Sequence, residues 1–178
     1  MPAPDARPAA HAAARHSSAK TAARRGSVNG AAISLVLIGA ALVLLSFEVL
    51  DWYAAPQSTA DTAGAVTFSA LRASTRQLGG AGVALAYFDW LSWAALIGVI
   101  VAGTWAALPT RAADPLRVLG FALGTVGAVA TYYALLQHFD ATGSTHSVLY
   151  NSTWGMWAAI IGYATAAIGA VRGPRSAP

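Results

Sequence analysis

Along the chain, four apolar stretches alternate with polar connections, over residues 31–50, 88–108, 116–137 and 154–171. Strict apolar/polar alternation, as in the strands of a membrane barrel, is absent from them. Each approaches or reaches the roughly 20 residues that a helix needs to cross a hydrocarbon core of about 30 Å. Backbone N–H and C=O groups in lipid must be satisfied within the segment itself, so each stretch is predicted to be a helix. The pattern predicts an all-α integral membrane protein. Its membrane domain is a bundle of four transmembrane helices over 31–172, with a long connection over 53–84 and short tails at 1–30 and 173–178.

The first 30 residues have no apolar period and mix Ala, Arg, Pro and Ser. They read as a disordered basic tail. Arg24-Arg25 before an apolar run invites a twin-arginine export reading. However, Gly-Ser-Val-Asn follows the pair and no A-x-A site closes the run, so an uncleaved anchor is expected.

Composition agrees with a lipid solvent. Hydrophobic residues make up 56% of the chain and charged ones 10%, against about 25% charged in soluble domains. So few charges cannot cover a soluble domain with this much apolar side chain. With no cysteine, disulfides, thiolate catalysis, Cys-bound zinc and iron–sulfur ligation are excluded. The net charge of +4 is a topology signal rather than a nucleic-acid one, because the basic residues flank the apolar stretches. Arg7, Arg15, Lys20, Arg24, Arg25, Arg111, Arg117, Arg172 and Arg175 fall on one side, and only Arg72 and Arg76 on the other. That bias predicts both termini in the cytoplasm of a bacterial inner membrane. Aromatic residues gather near the outer helix ends as an expected interfacial belt, with Trp52, Tyr53, Trp90, Trp93, Trp154 and Trp157 as depth anchors and Tyr87, Phe88 and Phe139 among them.

The long outer connection contains AVTFSALRASTRQLGG. Phe68, Leu71, Thr75 and Leu78 at helical spacing fit a short interfacial helix; Val66-Thr67-Phe68 also fits a β-segment. Gly79-Gly80-Ala81-Gly82 supplies a hinge into the second helix. Such a loop serves either as a docking surface or simply as a cap on the bundle.

Candidate chemistry is limited to an outer polar cluster. Glu48 and Asp51 share a helix face, Asp89 opens the second helix, and His138, Asp140 and His146 follow the third. Converging, they would relay protons or hold a divalent metal; apart, they are interfacial groups whose side chains reach water. No H-x-x-x-H, H-E-x-x-H or G-x-S-x-G pattern accompanies them, and no ionisable residue lies at the bilayer centre. No catalytic residue, cofactor or metal site is therefore predicted. The clearest pattern is small residues at four-residue spacing: Ala94, Gly98, Ala102 and Ala106; Gly120, Gly124 and Ala128; Ala158, Gly162, Ala166 and Ala170. Such stripes let helix backbones approach closely. Either they pack this bundle against itself, or one is left over for a partner helix.

Asp51-Trp52-Tyr53 closing the first helix, Asp89 opening the second and Gly155-Met156-Trp157 opening the fourth resemble the four-helix envelope proteins of actinobacteria. In that resemblance, Asp51 stands where a proline is usual. Some mycobacterial proteins of similar layout are accessory subunits of larger assemblies, such as Mce-type lipid importers or respiratory complexes, and the resemblance implies no catalytic residue. The expected function is a non-catalytic accessory or scaffold subunit of an envelope complex, with lipid-transport machinery ahead of a respiratory one. Its partners would be membrane lipids and that complex, without nucleic acid. A homo-oligomeric channel or transporter using the outer carboxylates is the alternative, and a lipid-modifying enzyme comes third.

Overall fold

The computed structural model describes residues 28–54, 65–79, 82–141 and 148–172. The tail 1–27, the C-terminal 173–178, His146 and the middle of the hinge lie outside them. Four helices are long and apolar enough to cross a membrane: α1 (Gly30–Glu48), α3 (Val83–Ala106), α4 (Ala113–Ala141) and α6 (Trp154–Val171). Between α1 and α3 lie strand β1 (Asp51–Ala54), strand β2 (Ala65–Thr67) and the short helix α2 (Phe68–Gln77), and the one-turn α5 (Val148–Asn151) precedes α6. The chain thus forms a four-helix bundle with a small folded cap at one end, here called the capped end.

Both readings of the long connection are realised in succession. β1 and β2 pair antiparallel, with Asp51 opposite Thr67 and Ala54 opposite Ala65. At Thr67 the chain turns into α2, whose first turn the Thr67 hydroxyl caps by accepting from Ala70 N at 3.4 Å. β1 is the element that the apolar pattern missed, and it makes the protein mostly rather than purely helical. The second span starts at Val83, five residues before the apolar run at Phe88. Its entry carries a π-helical turn over Tyr87–Leu91 within which Tyr87 and Phe88 are both buried.

The bundle is organised around α6, which packs most extensively on α1, then on α4 and α3. The α1–α6 seam is built from small residues seven apart, the period that keeps two crossing helices in register. Ala32, Gly39 and Ser46 of α1 run antiparallel to Gly169, Gly162 and Gly155 of α6. A Cβ on Gly162 would stand 2.6 Å from the Gly39 carbonyl oxygen, and one on Gly39 would strike the Gly162 carbonyl in return. One Cβ on Gly169 would meet the backbone of Val36 at 2.8 Å. At the capped end, the Ser46 hydroxyl donates to the Gly155 carbonyl at 2.7 Å.

An adjacent face of α6 receives α4. Gly120 sits on Ala170, Gly124 on Ala167 and the Tyr163 carbonyl, and Gly127 on the Tyr163 ring. Tyr163 reaches across to donate to the Ser92 carbonyl of α3 at 2.6 Å. Gly98 faces Leu123 of α4, Ala102 lies beside Gly120, and Ala166 is buried against Gly39, while Ala158 is half-buried. The four-residue stripes on α4 and α6 are therefore consumed inside the bundle. The expectation that one of them remains for a partner helix does not hold for Gly120, Gly124, Gly162 or Ala166. Large aliphatics such as Ile38, Val101, Val118, Val129 and Ile161 point outward instead, where lipid satisfies them.

At the other end, Asn29 ties three helices. Its side chain accepts from Ala32 N to cap α1 and donates to the Arg172 carbonyl, and its backbone N–H donates to the Ala107 carbonyl. Pro115 lies in the first turn of α4, where a missing N–H costs nothing. Arg117, almost fully buried one turn further on, pairs with Asp114 at 2.7 Å.

Candidate functional site at the capped end

The cap is held by an aromatic cluster. Trp52, from β1, is fully buried between Phe47, Phe68, Tyr87 and Phe88, with ring centroids 5.3 to 6.4 Å away. Its indole N–H donates to the Ser46 carbonyl at 2.8 Å. Phe47 stacks on Phe68 at 4.3 Å and meets Trp93 at 5.4 Å, while Tyr53 packs edge-on against Phe139 at 5.0 Å. Of the six expected depth anchors, Trp90, Trp154 and Trp157 are exposed. Trp52 is not an anchor: the hairpin folds it inward, and Tyr53 and Trp93 are half-buried beside it. Tyr87, Phe88 and Phe139 likewise leave the belt for the core. An indole suits either place, since it is apolar in body and polar at one atom; the β1 turn decides between them.

Polar side chains then clamp α2 onto the bundle. Arg72 Nε and Nη2 donate to Asp89 Oδ1 at 3.1 and 2.8 Å, and Arg76 donates to the same oxygen. Asp89 sits in the π-helical turn, so one carboxylate of α3 receives two guanidinium groups from successive turns of α2. One turn along the buried side of α2, Thr75 donates its hydroxyl to the Leu71 carbonyl at 2.7 Å and meets His138 Nδ1 at 3.0 Å. A hydroxyl has one proton, so with Leu71 as its acceptor the contact requires Nδ1–H on His138 as the donor. His138 is buried and also packs edge-on against Phe88 and Phe139.

The predicted polar cluster is thereby divided. Asp89 is taken by Arg72 and Arg76, and His138 by Thr75. Glu48 ends α1, Asp51 opens β1 and Asp140 lies near the end of α4, and all three are exposed. Among the described residues, no group of three or more His, Asp or Glu is placed to hold a metal ion. In sequence Thr75 is legible only as a position on the helical stripe with Phe68, Leu71 and Leu78, not as a polar partner of His138, and Ser46 carries no signal of its own.

If the clamp holds α2, Asp89→Asn should leave the bundle folded and speed amide exchange across 68–77 several-fold, while Glu48→Gln leaves that exchange unchanged. Equal exchange in the two variants would show that the aromatic contacts alone hold the cap.

A groove of about 590 Å³ runs along α6 beside the cap, lined by Ser152, Thr153, Trp154, Trp157 and Ile161. Its rim is fixed to the hairpin. Tyr53 pairs with Ser152 as an isolated bridge, and Thr153 N donates to the Trp52 carbonyl at 3.1 Å. The Thr153 hydroxyl donates to the Asp51 carbonyl, and the Ser152 hydroxyl donates to the Leu149 carbonyl at 3.2 Å.

Fold and site together define a four-helix, multi-pass membrane protein with a folded cap over one end of the bundle. No family model, curated protein or solved structure matches the chain.

Proposed function

We propose that this protein is a non-catalytic accessory subunit of a larger inner-membrane complex, with both termini in the cytoplasm and the capped end outside. The observation that carries the reading is the clamp. Arg72, Arg76, Asp89, Thr75 and His138, the groups best suited to chemistry at this end, are engaged in fixing the cap to the bundle. A cap fixed by ion pairs, a buried hydrogen bond and stacked rings is a preformed surface, and preformed surfaces lose less ordering entropy on docking.

Lipid-transport machinery is the favoured assembly over a respiratory one. The only histidine within a span is His138, near the capped end of α4, so facing histidines at depth for haem are missing from the sequence. The small-residue seams are spent internally, so the docking surface is assigned to the cap and the outward aliphatic faces. The channel alternative is weakened because Asp89, one of its two mouth carboxylates, is paired with two arginines.

The test is a pull-down of the tagged protein in mild detergent with mass spectrometry of stoichiometric partners. A defined larger complex, lost on Arg72→Ala/Arg76→Ala but kept on Glu48→Gln, is the expected result. Elution alone or as a homo-oligomer, with Glu48-dependent ion flux in liposomes, would replace the reading with the channel.

A further inference from the structure

His138 lies near the capped end of α4 and is only 6% exposed. Its ring packs against Phe88 of α3 and Phe139 of its own helix, at centroid distances of 6.4 and 6.1 Å, and Thr75 of α2 covers it. Because the Thr75 hydroxyl donates to the Leu71 carbonyl, the neutral ring carries its proton on Nδ1 and donates it to Thr75. A second proton would enter at Nε2 and leave that bond in place. What it changes is the charge.

The elements packed around the ring do not balance that charge. Thr75, Phe88 and Phe139 are neutral, and so are the phenols of nearby Tyr87 and Tyr53 at ordinary pH. The charged groups are Arg72 and Arg76 of α2, Asp89 of α3 and Asp140 of α4. Asp89 already accepts from both arginines, so this junction holds an excess of positive charge before His138 is counted. Asp140 is exposed and, two residues along α4, lies on a different face. Among the described residues, none of the ion pairs includes His138. An imidazolium here is a buried charge beside two guanidinium groups, and water or a counter-charge must relieve it. Phe88 and Phe139 belong to spans fixed in the bundle, whereas Thr75 sits on a ten-residue helix held down by its side chains. Past α2 the chain turns at Gly79 and Gly82, with φ of 62° and 111°, so the covering element that is able to lift is α2.

We propose that the Thr75–His138 contact is an acid-sensitive latch: protonation of His138 releases α2 from the bundle, so the cap opens as the pH of the compartment it faces falls through the histidine range. Linkage sets the sign. The closed cap houses the neutral ring, and the open cap lets water solvate the imidazolium, so acid favours the open form and neutral pH the closed one. The latch rests on the geometry of the cap and is independent of the accessory-subunit reading.

The chain has no cysteine, so spin labels can be directed to chosen sites. The whole chain in nanodiscs would carry labels at Ala73→Cys on α2 and Ala141→Cys on α4, both exposed positions. Dipolar distances would be read at about pH 7.5 and about pH 5, either side of the ordinary histidine value of about 6.5 and above the carboxylate range. One short-distance population should dominate at the higher pH, and a longer one should grow several-fold at the lower. His138→Asn, whose amide N–H still reaches toward Thr75 but takes up no proton, should give the closed distance at both. His138→Phe should likewise show no change with pH, whichever population it adopts. A second label pair at exposed Val129→Cys and Ile168→Cys should hold its distance throughout. Identical distributions at both pH values in the parent would overturn the latch. So would a pH response that persists in both His138 variants, which would assign it to another group such as Asp89, or an equal change in the second pair, which would mean that the bundle itself responds.

Discussion

Gly162→Ala should destabilise the bundle by on the order of 2–3 kcal/mol, the upper part of the range for inserting a methyl group into packed structure. The added Cβ would stand 2.6 Å from the Gly39 carbonyl oxygen and 3.0 Å from Val43 N. Those are backbone atoms of the facing helix and cannot rotate away, so α1 and α6 must separate along their closest contact. Gly39→Ala should behave alike, because the two glycines point at each other's carbonyls. The double variant should cost less than the two single ones together, since one separation accommodates both methyl groups. Gly30→Ala is the control: nothing lies within 4 Å of a Cβ there, and its stability should be unchanged. Unfolding of the purified protein in mild detergent, by heat or by titrated denaturing detergent, ranks the four proteins. Parity of Gly162→Ala with Gly30→Ala would mean that α1 and α6 do not meet along this seam. Gly162→Leu should fail to fold at all, so loss of a complex in that variant reports on the bundle and not on a partner surface.

Trp52→Ala should cost about 3–5 kcal/mol, the usual range for truncating a large buried aromatic residue, with the effect concentrated in the cap. The ring is fully buried, bridges rings from α1, α2 and α3, and is the side chain around which the hairpin closes. Trp52→Phe keeps most of the apolar contact but removes the donor to the Ser46 carbonyl. It should cost about 1–3 kcal/mol, the cost of a buried acceptor left unpaired. Limited proteolysis and amide exchange over 51–77 are the readouts, and the order Ala, then Phe, then native is expected for loss of protection. If Trp52 were instead a lipid-facing anchor, both variants would leave the cap protected and alter only the tilt or depth of α1.

The contrast between these two sites shows where sequence reasoning reached and where it stopped. The stripe of Ala158, Gly162, Ala166 and Ala170 at four-residue spacing identified α6 as a close-packing helix. The partner seam, however, runs through Gly155, Gly162 and Gly169 at seven-residue spacing, matched by Ala32, Gly39 and Ser46. A search at that period would have found both halves, since Gly39 and Gly155 are plain in the sequence. Their pairing joins residues more than 100 positions apart, and no local pattern specifies it. Similarly, AVTFSALRASTRQL carried signals for both a strand and a helix, and the chain uses them in turn: pairing with Asp51–Ala54 fixes the strand, and the Thr67 cap starts the helix.

What the sequence determined by itself is the number and approximate limits of the spans. A run of about 20 apolar residues must close its own backbone hydrogen bonds in lipid, so each decision is local to its segment. The tertiary structure decided which groups meet at the capped end. Arg72, Arg76 and Asp89 are charges at a helix end in sequence, and a clamp only once α2 folds back onto the π-helical turn of α3. Trp52 is an interfacial residue in sequence, and a core residue only once β1 turns it beneath Phe68. In each case the residue type is compatible with water, interface or interior, and the choice is made by a neighbour supplied from elsewhere in the chain.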